Sequence, residues 1–290
     1  MNYKHGIFGP SRSEHGRGSF LMPKFLFWNV AAKPLQHLVG ELADSYEIDL
    51  LVLAECRIKP GALLQTLNRA KPKFQFAHGY CENLMFFTRF HAGFLTPVFE
   101  SPRISIRRLR LPARTEVLIA AAHLPSRMHF TEDSLVFQCA HLGQKIEEQE
   151  QIAGHRRTVV LADLNVNPFE KGVVAAGGLN AVMSRRVAMR GTRTVQAREH
   201  HFFYNPMWSL FGDRADGPPG TYYYEKAEPV NYFWNIFDQV LLRPALLENF
   251  SSNQIQVLTT AGATSLLEEN GQPDNAAASD HLPVLLSLDF

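Results

Sequence analysis

The sequence contains few cysteines and no closely spaced cysteine pair. Its three cysteines, Cys56, Cys81 and Cys139, lie far apart in the chain. Spaced cysteine pairs are typical of thiolate zinc sites and redox motifs, and dense cysteine sets are typical of small secreted domains. The sequence therefore disfavours a disulfide framework and a thiolate metal centre, and we expect a cytoplasmic protein.

Long apolar runs and an excess of charge are also missing. No apolar stretch approaches the roughly 20 residues that span a bilayer, and the start lacks the continuous apolar region of a signal peptide. The 29 Lys+Arg residues nearly balance the 28 Asp+Glu residues, for a formal charge of +1. Composition thus predicts no transmembrane segment and no bulk attraction to nucleic acid, so any phosphate-binding surface must be local.

The composition is that of a folded globular chain. Of 290 residues, 46% are hydrophobic and 20% are charged, which provides a sizeable core and excludes disorder. Compact apolar patterning begins at residue 22, after a stretch rich in Gly, Ser, Arg and His. We therefore expect residues 1–21 to be a disordered leader or an added segment. Residues 22–290 contain no linker or repeat, which predicts a single domain.

The apolar patterns alternate between strand and helix. Strands are predicted at residues 24–30, 50–54, 74–77, 84–88, 93–99, 103–111, 116–122, 158–162, 235–242 and 282–288. Helices are predicted after Pro34, over residues 61–70, and from an N-cap at Thr131 to a stop at Gly154. Many strands, few helices and connections of both crossover and hairpin type predict an α/β or α+β fold, with a mixed sheet or two packed sheets flanked by helices.

Polar side chains interrupt or end many of these apolar strands. They are Asn29, Glu55, His123, Asp163, Asn165, Asp238, Asp280 and His281. Unpaired carboxylates and imidazoles are costly to desolvate at such positions, so the set predicts a shared cleft. Oxygen donors without spaced cysteines favour Mg²⁺ or Mn²⁺ over zinc, and such an ion leaves coordination positions for phosphate oxygens. This combination is typical of phosphoester chemistry.

The motifs around these residues resemble a known superfamily. In chain order they are WNV, LVLAE, AAHLPS, LADLNVNPFE, FDQVLL and ASDHLPV, and they are similar to those of the endonuclease/exonuclease/phosphatase, or DNase I-like, superfamily. The resemblance runs from about residue 24 to residue 288. It implies a four-layer αββα sandwich, with two packed mixed β-sheets between helices, and a metal-dependent hydrolase acting on phosphoester bonds.

The resemblance also implies a metal site. Glu55 resembles the principal metal ligand, Asn29 lies close by, and Asp280 contributes to the metal or its waters. Many members carry an acidic residue two positions after the first-strand asparagine, where this chain has Ala31. We therefore expect one Mg²⁺ or Mn²⁺ ion rather than two.

The remaining polar residues receive catalytic roles from the same resemblance. His281 is the implied base that orients or activates the attacking water, and Asp238 holds its imidazole. Asp163 and Asn165 position the nucleophile and the scissile phosphate. His123 hydrogen-bonds a phosphate oxygen or assists the leaving group, and its presence leans towards the deoxyribonuclease and sphingomyelinase branches.

Arginines and aromatic residues supply candidate substrate contacts. Arg107, Arg110 and Arg186 come from two arginine clusters that predict phosphate binding, with solvated surface faces as the alternative. Tyr222 and Tyr223 follow a turn-rich loop that predicts delivery of their rings to the cleft mouth, where they would stack on bases. Their alternative role is core packing.

The sequence favours a nuclease that cleaves phosphodiester bonds in DNA or RNA. The alternative is a phosphatase or phosphodiesterase acting on a small or lipid phosphate ester. A non-catalytic binding module ranks below both because every expected site residue is present. No Gly-x-Ser-x-Gly motif occurs, which disfavours a serine nucleophile. Protein partners are not predicted.

Overall fold

The structure is a computed structural model that describes residues 22–69, 73–127, 130–213 and 217–290. The predicted leader, residues 1–21, lies outside the described residues. The strands are β1 (Lys24–Asn29), β2 (Leu50–Ala54), β3 (Gln75–Phe76), β4 (Leu84–Thr88), β5 (Leu95–Glu100), β6 (Ile104–Leu109), β7 (Val117–His123), β8 (Thr158–Asp163), β9 (Ala181–Val182), β10 (Thr192–Val195), β11 (Arg198–His201), β12 (Phe203–Tyr204), β13 (Tyr222–Tyr223), β14 (Trp234–Asn235), β15 (Asp238–Leu242), β16 (Ile255–Val257), β17 (Thr260–Ala261), β18 (Thr264–Ser265) and β19 (Val284–Ser287). The α-helices are α1 (Gln36–Ser45), α2 (Pro60–Leu67), α3 (Glu132–Ala153), α4 (Lys171–Val174) and α5 (Arg185–Ala188), and short 3-10 helices cover Ala92–Phe94, Pro206–Leu210, Pro244–Leu246 and Ser252–Gln254.

Two mixed sheets form the centre of the fold. One has six strands in the order β16-β19-β1-β2-β4-β3, and the other has seven in the order β5-β6-β7-β8-β15-β12-β9. β1 runs parallel to β2 and β7 runs parallel to β8, whereas β15 runs antiparallel to β8. The parallel pairs require crossovers, which α1 and α3 provide. These pairs bring strand carboxyl ends, where the polar residues lie, to one edge of each sheet.

The core is divided into three layers of buried side chains. Phe25 and Phe27 of β1 pack between the two sheets, while Leu26 and Trp28 of the same strand pack with α1 and α2 on the outer face. The second sheet has the same alternation, with an outer layer against α3. The period of two along each strand therefore buries both faces of each sheet. This is the predicted four-layer αββα sandwich, and the prediction is confirmed.

Helix α3 begins and ends as its sequence signals predict. The Thr131 hydroxyl accepts a hydrogen bond from the Ser134 N–H (3.3 Å), which caps the first turn. Gly154 follows the last turn with a φ of 73°, a left-handed conformation that glycine adopts at no steric cost. No helix of the described residues is long and apolar enough to cross a membrane.

The prediction of one strand over residues 235–242 is wrong. Asn235 ends the short hairpin strand β14, opposite Tyr222, and β15 begins only at Asp238. Between the two strands, the Ile236 N–H donates to Asn167 Oδ1 (2.9 Å) instead of to a sheet partner. The chain therefore leaves the hairpin and enters the seven-stranded sheet within three residues, which places Asp238 at the sheet edge.

Candidate active site

An asparagine amide links the two sheets at the edge where the polar strand ends meet. Asn29 ends β1 and lies opposite Ala54 of the parallel strand β2, so Asn29 and Glu55 emerge side by side. Asn29 Nδ2 donates to Glu55 Oε1 (3.3 Å) and to Asp163 Oδ2 (3.0 Å) in the other sheet. Asn29 Oδ1 accepts the Ala31 N–H (2.9 Å). The reversed amide would set its oxygen against two carboxylates, so this orientation is favoured electrostatically.

The second sheet contributes His123, Asp163 and Asp238 at adjacent positions. His123 lies opposite Asp163 in the parallel pair β7 and β8, and Asp238 lies opposite Asp163 in the antiparallel pair β8 and β15. Asp163 Oδ1 accepts the Asn165 N–H (3.0 Å), and Asn165 Nδ2 donates to the Leu124 carbonyl (2.9 Å). Asp163 is therefore fixed by hydrogen bonds to both of its carboxylate oxygens.

Two site residues adopt left-handed backbone conformations. Glu55 has a φ of 50° and Asn165 has a φ of 53°. Asparagine tolerates this region, but it is unusual for glutamate. The Glu55 N–H donates to the Asn83 carbonyl (3.2 Å), and the Glu55 carbonyl accepts the Ala32 N–H (3.1 Å), which holds the conformation. Strain that is held by its surroundings is typical of functional sites.

His281 and Asp238 form a buried pair. His281 Nδ1 lies 2.8 Å from Asp238 Oδ2, so its Nε2 is the ring nitrogen left for the cleft. Trp28 Nε1 donates to the His281 carbonyl (2.8 Å), and the Tyr222 ring packs on the imidazole at 4.7 Å between centroids. Burial opposes the charged imidazole, but the Asp238 and Asp163 carboxylates outweigh burial and raise the pKa of His281 to about 10. The site is built to stabilise a proton on this ring.

The Glu55 carboxylate is held ionised. His123 Nε2 lies 3.2 Å from Glu55 Oε1 and 3.7 Å from Asp163 Oδ2. The hydrogen bond from His123 lowers the pKa of Glu55 to about 2, although partial burial acts in the opposite direction. The Glu55 side chain remains 39% exposed. It therefore offers a negative oxygen to the cleft at any pH near neutrality.

A cleft of about 530 Å³ opens over these residues. The predicted site residues that line it are Asn29, Glu55, Asp163, Asn165, Asp280 and His281. His123 contacts Glu55 from a buried position, and Asp238 lies behind His281. The structure thus brings all eight predicted polar strand ends together around one cleft.

Tyr222 also lines the cleft, whereas Tyr223 does not. The Tyr222 ring stacks between Phe237 (5.2 Å) and Tyr224 (6.4 Å), and its partial burial raises the pKa of its phenol to about 12. Tyr223 points to the other face of β13, where it packs on Trp234 (5.4 Å), and it lines an adjoining cavity of about 260 Å³ that shares Tyr222, Tyr224 and Asp280 with the cleft. Successive side chains of a β-strand point to opposite faces, so neighbouring tyrosines of β13 point in opposite directions. The prediction that both rings reach the cleft mouth did not take this alternation into account.

Arg107 does not lie at the cleft. Its guanidinium is buried between the sheets, over the Phe86 ring (4.0 Å), and pairs with Glu100 Oε1 (2.9 Å). It also donates to the Ala77 and His78 carbonyls at 3.0 and 3.1 Å. With its donors used inside the protein, Arg107 has the geometry of a structural ion pair and not of a phosphate ligand.

Arg110 and Arg186 lie away from the cleft too. His123 ends β7 at the cleft, and Val117 begins the strand at its far end. Arg110 lies at that far end, because the preceding residue, Leu109, pairs with Val117. The Arg110 side chain forms an ion pair with Glu116. Arg186 is exposed on α5, a helix that packs on β9 and β12. The structure therefore separates all three predicted arginines from the catalytic edge.

Other residues line the cleft that sequence reasoning did not single out. The main ones are Arg127, Lys226, Val230, Tyr232 and Phe237. Arg127 lies four residues after His123, so its place beyond a strand end was a usable signal. The others belong to residues 221–238 around the β13–β14 hairpin, where no periodic pattern indicates which side chains face the cleft.

The oxygen donors of the cleft fit a hard cation such as Mg²⁺. Glu55 is ionised and partly exposed, Asp280 shares the cleft with it, and no cysteine lines the cleft. Within the described ranges, one group of three side chains has potential ligand atoms within 4.8 Å of one another, namely Asp163, Asp238 and His281. Since His281 and Asp238 are hydrogen-bonded to each other and buried, that group is better explained as a histidine–carboxylate pair beside Asp163.

No protein-family model matches the sequence, and a search of curated proteins gives no match either. Solved structures do match. D. rerio TDP2 complexed with single strand DNA product is 16% identical, with 92% of this chain and 99% of that chain covered and a TM-score of 0.51. An endonuclease/exonuclease/phosphatase family protein from Bacteroides thetaiotaomicron is 12% identical, with 92% and 95% covered and a TM-score of 0.54. The 3′ phosphatase NExo from Neisseria, bound to product DNA hairpin, is 15% identical, with 92% and 100% covered and a TM-score of 0.53.

These likenesses extend over almost all of this chain and of each matched chain. At such identities they establish the fold and nothing finer. The protein therefore has the endonuclease/exonuclease/phosphatase, or DNase I-like, fold, and the resemblance read from the motifs is confirmed at that level.

Proposed function

We propose that the protein is a divalent-metal-dependent phosphodiesterase that hydrolyses DNA or RNA. The observation that carries the proposal is a histidine–carboxylate pair and an ionised carboxylate that share one cleft. His281 is held by Asp238 at 2.8 Å, and Glu55 is joined through the Asn29 amide to Asp163, which lies beside that pair. A base and an anionic cation-binding edge facing one space are what metal-assisted hydrolysis of a phosphate ester needs.

In the proposed mechanism, His281 acts in its neutral form, which a cation bound beside Glu55 would favour, and its Nε2 takes the proton of the attacking water. The new P–O bond forms as the bond to the leaving oxygen breaks, and the imidazolium that results is stabilised by Asp238 and Asp163. No covalent enzyme intermediate is needed. Asn165 and Asp163 position the water and the phosphate. His123 Nε2, which lies 3.2 Å from Glu55 Oε1, would release that contact to hydrogen-bond a phosphate oxygen.

Glu55 is the proposed principal ligand of Mg²⁺ or Mn²⁺, with Asn29 and Asp280 beside it. When bound, such an ion supplies positive charge that stabilises the developing charge on the phosphate. Asn29 already uses its Oδ1 to accept the Ala31 N–H and its Nδ2 to donate to two carboxylates. Its main proposed role is therefore to hold Glu55 and Asp163 at a fixed separation.

The wall of the cleft favours nucleic acid as the substrate. Tyr222 and Tyr224 stack with their planes 19° apart, and Lys226 lies 5.5 Å from the Tyr224 ring. Arg127 also lines the cleft, although its guanidinium pairs with Glu170. Aromatic faces next to positive charges bind bases and phosphates of a nucleic-acid strand. Two of the structurally similar proteins hold DNA product, in agreement with this substrate class.

A lipid phosphate ester is the second candidate. The segment 230–233 at the cleft mouth exposes Val230 (72%), Tyr232 (50%) and Phe233 (46%). Exposed apolar side chains at a cleft mouth are also suited to contact with a lipid surface. Substrate comparison separates the two candidates.

The test is hydrolysis by the full chain with Mg²⁺ or Mn²⁺, on single- and double-stranded DNA, RNA, and phosphate esters including sphingomyelin and inositol phosphates. The proposal expects metal-dependent cleavage of a nucleic acid that Glu55→Gln abolishes and that Glu47→Gln, an exposed control, retains. Cleavage of a lipid or small ester alone would support the second candidate. No cleavage of any substrate would support a binding module.

A further inference from the structure

A second surface lies beside the cleft on the side of Glu55 and His123. It consists of residues 78–83, which precede β4, and residues 101–103, between β5 and β6. We call these two segments the shelf. The Glu55 N–H donates to the Asn83 carbonyl (3.2 Å), and the His123 N–H donates to the Arg103 carbonyl (2.9 Å). The shelf is therefore bonded directly to the backbone of two site residues.

The two segments of the shelf are joined through one carbonyl. The Pro102 carbonyl accepts the Asn83 N–H (3.1 Å) and Asn83 Nδ2 (2.8 Å). It also accepts a longer bond from Cys81 Sγ (3.5 Å). Three donors on one acceptor hold residues 78–83 against residues 101–103, so the shelf is a preorganised surface.

Tyr80 stands out from the shelf into solvent. Its side chain is 93% exposed, the largest exposed fraction of any large hydrophobic side chain among the described residues. Its N–H donates to Glu100 Oε2 (2.5 Å), and Glu100 is itself paired with the buried Arg107. A Cβ on Gly79 would lie 2.2 Å from Arg107 Nη2 and 2.3 Å from Glu100 Oε1, so the chain before Tyr80 packs closely on this pair. The backbone that presents the ring is therefore fixed.

Arg103 supplies a positive charge on the second segment of the shelf. Its Nη1 donates to the His123 carbonyl (3.3 Å), which ties the guanidinium to the strand end that carries His123. Within the described ranges Arg103 has no carboxylate partner at ion-pair distance, whereas Arg108 and Arg110 both pair with Glu116. Its charge is therefore not neutralised by a neighbouring carboxylate.

Strand order places the shelf and the stacked pair Tyr222 and Tyr224 on opposite sides of the cleft. In the six-stranded sheet, the β1–β2 pair separates β4 from β19. In the seven-stranded sheet, the β7–β8 pair separates β6 from β15 in the same way. The shelf precedes β4 and β6, while His281 precedes β19 and Asp238 begins β15. A substrate that touches both surfaces must extend across the cleft.

We propose that the shelf binds the nucleic-acid strand beyond the scissile phosphate, with Tyr80 stacked on a base and Arg103 paired with a backbone phosphate. This inference rests on the proposed function and adds the substrate class: a polymer that spans both sides of the cleft. A fixed aromatic face and an unneutralised guanidinium are the two elements that single-stranded nucleic acid requires.

Binding is measured by anisotropy of a labelled oligonucleotide of roughly 12 nucleotides, a length within common single-strand site sizes. The polymer is the one that the wild type cleaves, and the background is the inactive His281→Ala. We expect Tyr80→Ala to raise Kd by at least about fivefold and Tyr80→Trp to restore binding. Phe137→Ala, at an exposed aromatic residue on α3, is the matched control and should leave Kd within about twofold.

The salt dependence of Kd tests Arg103. Loss of one phosphate contact lowers the slope of log Kd against log salt by about 0.7 for a single strand. Arg103→Gln should show this decrease, while Arg69→Gln, an exposed arginine after α2, should not. A merely structural Arg103 would not change the slope.

If Tyr80→Ala leaves Kd unchanged and Arg103→Gln leaves the salt slope unchanged, the proposal that the shelf binds nucleic acid is wrong, even if the wild type cleaves the polymer. An equal loss of affinity for a dinucleotide, which cannot reach across the cleft, would overturn it as well. A wild type that cleaves and binds no nucleic acid would instead refute the proposed function on which the shelf depends.

Discussion

His281 and Asp238 come from opposite sheets and meet at 2.8 Å between Nδ1 and Oδ2. His281 precedes β19 of the six-stranded sheet, and Asp238 begins β15 of the seven-stranded sheet. The base is therefore assembled only when the two sheets pack, because neither sheet contains both groups. Its orientation depends on a carboxylate whose side chain has no exposed area.

The first prediction concerns Asp238→Asn. An amide in this position cannot stabilise the imidazolium and does not fix the ring tautomer, so we expect kcat to fall by about 10² to 10⁴. Circular dichroism should show a retained fold. Asp44→Asn, at an exposed carboxylate on α1, serves as the control and should keep full activity. An Asp238→Asn enzyme of normal kcat would remove Asp238 from its proposed role.

The second prediction concerns pH. Because the folded pKa of His281 is raised to about 10 from an ordinary value of 6.5, its charged form stabilises the fold. That contribution is fully present below pH 6.5 and is lost as the pH rises through about 10. In metal-free protein, the difference in unfolding free energy between wild type and His281→Gln should therefore shrink from pH 7 to 10. A difference that grows over this range would contradict the assignment.

The third prediction concerns Asn29→Ala. Without the Asn29 amide, the Glu55 and Asp163 carboxylates each lose one hydrogen-bond donor. The repulsion between their negative charges is then no longer offset by that donor. We expect a loss of stability on the order of 2 kcal/mol in EDTA. Added Mg²⁺ should recover part of the loss if these carboxylates share a cation. Denaturant unfolding with and without metal measures both effects, with Asn270→Ala as an exposed control.

The fourth prediction separates a structural from a binding role for Arg107. Its pairing with Glu100 is nearly inaccessible, with side-chain exposures of 2% and 8%. Arg107→Ala leaves a buried unpaired carboxylate and should destabilise the fold by about 3 to 5 kcal/mol. At low temperature, where the variant stays folded, the salt dependence of KM for nucleic acid should remain that of the wild type, since no phosphate contact is lost. A weaker salt dependence with unchanged stability would restore the phosphate-binding hypothesis.

The sandwich and the location of the site were predictable from sequence because strand periodicity and polar strand ends are local signals. Asn29, Glu55 and Asp163 each follow an unbroken apolar strand, and the parallel register places such ends together. The resemblance of the motifs to the DNase I-like superfamily then predicted that these residues share one cleft. Backbone geometry at Glu55, with its positive φ, had no sequence signal because glutamate rarely adopts it.

The substrate-contacting residues were less predictable because their neighbours are distant in sequence. Arg107 shares a strand face with Leu109 and points between the sheets, where Glu100 of the adjacent strand neutralises it. A strand in which arginines alternate with apolar residues indicates a solvent-exposed arginine face, and only the position of Glu100 in the fold shows that Arg107 is buried. Similarly, Arg127 and Lys226 reach the cleft from irregular segments whose conformation is set by tertiary packing.

Single-turnover cleavage of an end-labelled oligonucleotide, with and without Mg²⁺, tests the central claim most directly. The comparison is between wild type, His281→Ala and His91→Ala, an exposed histidine at the opposite end of β4 from the cleft. The account predicts metal-dependent cleavage by wild type and His91→Ala and a loss of at least about 10² in rate for His281→Ala. Equal cleavage by His281→Ala, or cleavage that persists in EDTA, would contradict it.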